Sequence, residues 1–346
     1  MLGTASASIN KLAQGIYGYW QSQCLYVVTK LGIPNLLHSE PMNVETLAQK
    51  TCTKAENLYV VLRALAHLGV FLEKPGRVFA ATDLSEHLVT NKEPSLGHFL
   101  MHITEPSMWN AWRELENSLK TGEVAFEIAH GQNFYNSFMT ENADSKALFK
   151  NAMSFLTNTA IESLFEAYDF SQFDTVMDVG GNQGTLIAHI VKRFGCKGIL
   201  FDLPNEVEAS AAFLATQGID ADAVQVIAGN ALEEIPKGAD AIVMKYFLSV
   251  FNVEDTISLL TKCREALPKH GKVLLLQTLV PPLGAPVEYS DGTVPALAAV
   301  QMMITNPGGY WRTEQEYKEL FEASGFKPEK VIHTGNSLTV MEFSKS

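Results

Sequence analysis

Val176-Met177-Asp178-Val179-Gly180-Gly181-Asn182-Gln183-Gly184 reads as an apolar strand that ends on an acid and turns into a helix beginning near Thr185. Gly180 and Gly181 let the backbone turn sharply and approach a ligand closely, where a Cβ would obstruct it. The helix that follows offers its free N–H groups at the turn. A strand, turn and helix of this kind at the carboxyl edge of a parallel sheet is where open α/β folds bind nucleotides.

Downstream of this stretch strands and helices alternate. Strands are expected at Thr175–Val179, Lys197–Asp202, Val224–Ala228, Ala239–Lys245 and Lys272–Thr278, with late ones near Lys330–His333 and Leu338–Glu342. Helices such as Glu254–Leu267 and Glu314–Ser324 lie between them, the second stopped by Gly325. That rhythm predicts an α/β, Rossmann-like domain with a doubly wound, mostly parallel sheet and right-handed crossovers. The last two strands are close enough in sequence to pair as a hairpin on its edge.

Upstream the pattern is helical. Leu58, Val61, Leu62, Leu65 and Leu68 recur at three- and four-residue intervals. A short helix starts at Asn43-Val44-Glu45 with an Asn cap and an early Glu, and a second runs from about Ala55 to Leu68 before Gly69. Val70–Glu73 and Val78–Ala81 then flank Lys74-Pro75-Gly76-Arg77 as a hairpin. Two helices and a two-stranded wing make a winged helix. The boundary is expected near residue 170, dividing a helical, winged-helix domain over 1–168 from a Rossmann-like domain over 169–346.

The bulk composition narrows the partners. Of 346 residues, 47% are hydrophobic and 18% charged, as in an ordinary globular protein. A formal net charge of −12 argues against nucleic acid, because phosphate binding calls for a basic face. The candidate recognition helix carries Lys54, Arg63 and His67 beside Glu56 and a broad apolar face, so core or dimer packing is its expected use. Cys24, Cys52, Cys196 and Cys263 lie far apart, with no metal-site spacing, which fits a reducing cytoplasmic compartment and no bound metal. Lys11 interrupts the amino terminus, so no signal peptide is expected. The longest uncharged run, Gly292 to Trp311, contains Gln301, Asn306 and Pro307 and reads as a buried element with a loop, not a membrane span.

Two nucleotides compete for the glycine turn. A dinucleotide fingerprint places a middle glycine against the pyrophosphate, and here that position is Asn182. Asp178 suits a cationic ligand better than an anionic one. At the end of the next strand, Phe201-Asp202-Leu203-Pro204 offers an acid 24 residues after Asp178, suited to the two hydroxyls of a ribose. A third contact is expected from Gly229-Asn230-Ala231, where an amide could meet an adenine amino group. These features favour S-adenosylmethionine (SAM) over a dinucleotide.

The chain resembles the plant-type small-molecule O-methyltransferases, a family with bacterial and fungal members. Asp178-Val179-Gly180-Gly181-Asn182-Gln183-Gly184 is similar to the family's D-V-G-G-G-x-G, and Phe201-Asp202-Leu203-Pro204 contains its D-L-P. Asn306-Pro307-Gly308-Gly309-Tyr310-Trp311-Arg312-Thr313 is similar to its N-P-G-G-x-x-R-T, and Thr121-Gly122 with Ala129-His130-Gly131 to the segment before its catalytic domain. The resemblance covers nearly the whole chain. It implies a homodimer joined through the winged-helix part, a SAM cleft in the second half and a small-molecule pocket between domains. The implied cofactor contacts are Asp178, Gly180, Gly184, Asp202, Leu203 and Lys245, with Asn230 at the family's adenine-side acid. By the same analogy Met153, Phe155, Gln277, Met302, Met303 and Trp311 line the substrate pocket, although Met or Phe on a helix more often packs a core.

The resemblance fails where a proton must be handled. The family's general base is a His in an L-x-H-D-W segment, and the equivalent run here is Leu248-Ser249-Val250-Phe251. Ser249 stands at the base, and Gln277 and Trp311 replace its two supporting acids. A serine hydroxyl with no base beside it accepts no proton near neutral pH. Among the histidines, His102, ahead of Trp109 and Trp112, is the candidate replacement, while His130 and His189 read as structural. The leading expectation is methylation of a small secondary-metabolite-like aromatic or polyketide-like molecule, at N, C or O, by proximity and in-line alignment. The alternative is a SAM-binding enzyme of the same fold that moves no methyl, such as a pericyclase or hydroxylase. A dimeric winged-helix regulator is a third idea, disfavoured by the acidic charge and the cofactor motif.

Overall fold

The computed structural model describes residues 2–282, 284 and 294–346, with the side chains of 2–7 and 136 left aside. By their contacts the residues fall into two compact units, Met1–Trp109 with Ala143–Phe155, and Asn110–Asn142 with Leu156–Ser346.

In the first unit a long helix, α1 (Leu2–Lys30), precedes α2 (Ile33–Ser39), β1 (Met42–Asn43), α3 (Val44–Lys50), α4 (Ala55–His67), β2 (Phe71–Lys74) and β3 (Val78–Ala81). The Asn43 side chain accepts the Thr46 N–H at 2.8 Å, capping α3 as expected. Leu58, Leu62 and Leu65 form the buried stripe of α4. Gly69, at φ +79°, takes the left-handed conformation that ends the helix. The wing is present, and β1 adds a third strand on the outside of β3, in the order β1-β3-β2. Val28, Ile33, Leu47, Leu62, Phe71 and Phe79 share the core beneath it.

The second unit holds seven more strands: β4 (Thr175–Val179), β5 (Lys197–Asp202), β6 (Val224–Ala228), β7 (Ala241–Lys245), β8 (Lys272–Gln277), β9 (Phe326–His333) and β10 (Thr339–Lys345). They form one sheet in the order β6-β5-β4-β7-β8-β10-β9. Strands β4 to β8 pair in parallel, and β10 runs antiparallel to both β8 and β9. Val176, Leu200, Val243 and Leu274 face one core, while Met177, Ile199, Ile242 and Leu275 face the other. Burial on both faces is why these strands read as continuous apolar runs.

The final hairpin is longer than its sequence pattern. β9 starts at Phe326 and takes in Pro328, because it is the edge strand, where a missing N–H breaks no ladder. β10 lies inside it against β8, with a register shift at Glu342/Phe343. The uncharged run resolves into the helix Pro295–Thr305 and a following loop, and Gly292 and Thr293 lie outside the described residues. Among the described residues no helix is long and apolar enough to cross a membrane.

The strand order reverses between β4 and β7. At such a switch point the loops after neighbouring strands diverge and leave a crevice at the carboxyl edge. The glycine turn follows β4, Asp202 ends β5, and Lys245 ends β7, so the sheet delivers all three to that edge.

Candidate cofactor and active site

The turn after β4 is held by its neighbours. Gly180 donates its N–H to the Phe201 carbonyl at 2.9 Å and sits at φ +74°. A Cβ on Gly180 would lie 2.2 Å from Cδ2 of Phe247, whose ring covers the turn. On Gly181 it would lie 2.6 Å from Oδ2 of Asp178. Gly184, at φ +94°, precedes the first residue of the helix Thr185–Phe194. Asn182 takes φ +56°, a conformation that Asn tolerates better than most side chains.

This turn and the β5 acid are bonded together. Asp202 accepts the Asn182 N–H at 2.8 Å and the Leu203 N–H at 2.7 Å, while its carbonyl accepts the Gly229 N–H at 2.9 Å. One carboxylate therefore ties the ends of β4 and β5, with the β6 loop beside them. Asn230 closes that third loop: its side chain accepts from Leu232 N–H and donates to Glu233, both at 3.0 Å.

The electrostatics beneath the turn are set by burial. Asp178 is 2% exposed, and desolvation pushes its carboxyl up to about 7, against the pull of Lys245 and with the Asp202 charge adding to the rise. Burial likewise pushes Lys245 down to about 8, opposed by Asp178. Oδ2 of Asp178 is buried and, among the described residues, has no hydrogen-bond partner. An orphaned carboxylate oxygen below a cradle that a Cβ would fill, next to the Asp202 carboxylate at the end of β5, fits SAM, a cationic adenosine sulfonium.

Ser249, Gln277 and Trp311, the residues expected at the proton-handling positions, have side chains that do not titrate near neutral pH. Ser249 is fully buried in the short turn Leu248–Val250 and donates its hydroxyl to the Tyr246 carbonyl at 2.8 Å. Gln277, also fully buried, has its amide nitrogen 3.4 Å from the Thr278 carbonyl and its Oε1 unpartnered among the described residues. The Trp311 ring stacks on Tyr246, with centroids 5.8 Å apart and an interplanar angle of 8°. Tyr246 sits at φ +55°, its hydroxyl 3.2 Å from that of Thr278 and its ring 4.5 Å from the Lys245 ammonium. A bulky residue held at positive φ marks strain of the kind found at working sites.

The remaining candidates divide between the units. Met302 and Met303 are half-buried on the helix Pro295–Thr305, where Gln301 accepts the Trp112 indole N–H at 2.8 Å. His189 contacts Asn158 at 2.8 Å on the helix behind the turn. His102, Met153 and Phe155 belong to the first unit. There His102 packs its ring edge against Phe149 at 5.3 Å, and burial pushes its imidazole down to about 4. Phe155 packs against Phe99 at 6.1 Å, and Met153 is half-buried on the helix Ala143–Ala167.

Phe247 over the glycine turn and the buried Arg312 carry no sequence signal of their own, and Tyr246, a polar candidate from the sequence, has a strained backbone that its residue type does not announce. Arg312 was visible only as one letter of the N-P-G-G-x-x-R-T segment.

Comparison with known proteins agrees with the cradle. The O-methyltransferase domain model matches residues 112–327, and the O-methyltransferase dimerisation domain model matches residues 13–91. Phenazine O-methyltransferase PhzM of Lysobacter antibioticus is 33% identical over 336 residues, covering 96% of this chain and 94% of the relative. The crystal structure of LaPhzM aligns with a TM-score of 0.91 at 32% identity, over 97% of this chain and 99% of that one. CalO1, a methyltransferase in calicheamicin biosynthesis solved in its SAH-bound form, aligns with a TM-score of 0.79 at 26% identity over 98% of both chains. The matched domains, the doubly wound sheet and the cradle at its switch point agree: the chain belongs to the O-methyltransferase family and is a SAM-dependent methyltransferase.

Proposed function

We propose that the chain methylates an acidic hydroxyl of a planar aromatic secondary metabolite, without a basic side chain at the family's base position. The observation that carries this is the state of Ser249, whose buried hydroxyl is committed to the Tyr246 carbonyl, with Gln277 and Trp311 in place of two acids. None of these groups takes up a proton near neutral pH. SAM, when bound, supplies an electrophilic methyl on a sulfonium whose displacement leaves S-adenosylhomocysteine.

The protein's part is then alignment. Asp178, Gly180, Gly184, Asp202, Leu203, Asn230 and Lys245 hold the cofactor, and Gln277, Met302, Met303 and Trp311 of the same unit line the pocket. Holding nucleophile and electrophile in line supplies several kcal/mol, on the order of 7–11 in the best cases. An ordinary phenol, with a pKa of about 10, is scarcely ionised at pH 7, so the preferred substrate brings a lower pKa of its own. The stacked Tyr246–Trp311 pair suits a flat ring, and the phenazine named for the Lysobacter relative is one. His102, whose neutral form is strongly favoured, is available as a structural residue and a weak acceptor only.

We also propose a homodimer, with the dimerisation role in residues 1–168 and cofactor binding in 169–346. The dimerisation match at 13–91 and the exposed Ile9, Leu12, Ile16, Tyr17 and Trp20 of α1 support it. Light scattering should give twice the chain mass, and Trp20→Glu should lower it; a wild-type monomer at micromolar concentration would remove the dimer. Four free cysteines accord with a cytoplasmic setting.

The chemistry is tested by incubating the protein with SAM and a hydroxylated phenazine or similar acidic hydroxyarene. One S-adenosylhomocysteine per methyl ether is expected. Product without that release, or no turnover across a panel of such arenes, would contradict the proposal.

A further inference from the structure

Arg312 is the largest fully buried side chain among the described residues. A buried guanidinium demands partners, because desolvating a charge costs several kcal/mol otherwise. Here the partners are backbone carbonyls and rings. Nη1 donates to Leu248 at 3.3 Å and to Tyr310 at 3.4 Å, and Nη2 donates to Phe251 at 3.0 Å. The Tyr310 ring centroid lies 4.5 Å from the guanidinium carbon and that of Tyr317 lies 6.0 Å away.

Those carbonyls bracket the turn that carries Ser249. Within the turn, Val250 N–H donates to Phe247 at 3.3 Å, Phe251 N–H to Leu248 at 3.4 Å and the Ser249 hydroxyl to Tyr246 at 2.8 Å, and the bond from Arg312 to Phe251, at 3.0 Å, is shorter than either backbone bond. On its other side Gly309 presses so close that a Cβ there would lie 2.7 Å from the Ser249 carbonyl. Residue 311, next in the chain to Arg312, is the Trp stacked on Tyr246. The guanidinium therefore joins two segments that are about sixty residues apart in sequence and meet at the same edge of the sheet.

We propose that Arg312 is a positioning residue for methyl transfer: its planar fork locks the Ser249 turn to the Trp311 segment and so sets the Tyr246–Trp311 wall. This rests on the methyl-transfer reading above. A site that lacks a base depends on alignment, and a misplacement of about 1 Å can cost on the order of a hundredfold in rate. Arg312 touches neither the glycine turn nor Asp202 among its hydrogen bonds, so cofactor affinity is separable from its role.

Arg312→Ala and Arg312→Lys are compared with wild type in the full-length protein. Expected are SAM affinity within about threefold of wild type, kcat lower by roughly tenfold or more in both variants, and partial recovery of Arg312→Ala by guanidinium at non-denaturing concentration. Lys keeps the charge but lacks the fork, so it should not rescue. Hydrogen exchange over residues 246–251 supplies a readout that needs no substrate, and both variants should exchange faster there. Unchanged kcat, or unchanged protection of 246–251, would overturn the positioning role. Equal losses of SAM binding and kcat without guanidinium rescue would assign Arg312 a general structural role and overturn it too. If wild type makes no S-adenosylhomocysteine while protection of 246–251 still falls in the variants, the methyl-transfer reading fails and the clamp stands as a structural fact.

Discussion

Asp202 is the residue on which most of the cofactor argument converges. Two backbone N–H donors, from Asn182 and Leu203, hold its carboxylate at the junction of two strand ends. Asp202→Ala should weaken SAM binding about tenfold or more by calorimetry, each tenfold being worth roughly 1.4 kcal/mol. Unchanged affinity would remove the ribose assignment. This acid was legible in the sequence because the glycine turn and the D-L-P segment each spell out a local motif. The strained conformation of Tyr246 and the contacts of Phe247 and Arg312 were not legible. Their roles arise from contacts across the sheet edge, such as Phe247 on Gly180 and Arg312 on Phe251, and no local pattern encodes them.

The elements follow their local signals closely where caps and periodicity agree. Asn252 starts the helix Val253–Ala266, its side chain accepting the Asp255 N–H at 2.8 Å and donating to the Asp255 carboxylate at 2.9 Å. Asn252→Ala should cost about 1 kcal/mol of unfolding free energy in urea titration, the usual worth of a cap. A larger loss would mean that the loop on Gly308, whose added Cβ would meet Asn252 at 2.9 Å, moves with it. The late strands show the opposite case. Lys327, Pro328 and Glu329 lie ahead of the strand expected near Lys330–His333, but an edge strand exposes its outer face and tolerates both charge and Pro. Pairing with β10 overrode the local propensity.

For the molecule as a whole, acid sensitivity is written into the first unit. His102 is held neutral by burial, its pKa near 4 against 6.5 for an ordinary imidazole. A depressed value means the folded state resists protonation while the unfolded chain accepts it. The stability involved is complete above pH 6.5 and is lost as pH falls toward 4. Between pH 7.5 and 5 that amounts to about 2 kcal/mol, which His102→Phe should remove from the pH dependence of unfolding in urea. The general architecture was legible because alternation of strands and helices leaves few topologies. What the alternation did not convey was the insertion of β10 between β8 and β9, since sequence neighbours give no order within an edge hairpin.

The central claim, methylation aligned by the fold with no enzyme base, is tested most directly by the pH profile of kcat/KM over hydroxyarenes of graded acidity. With the proton lost before binding, the inflection should shift with each substrate's own pKa and the rate should level off above it. An inflection that stays at one pH across the series would reveal a titrating group of the protein and contradict the account.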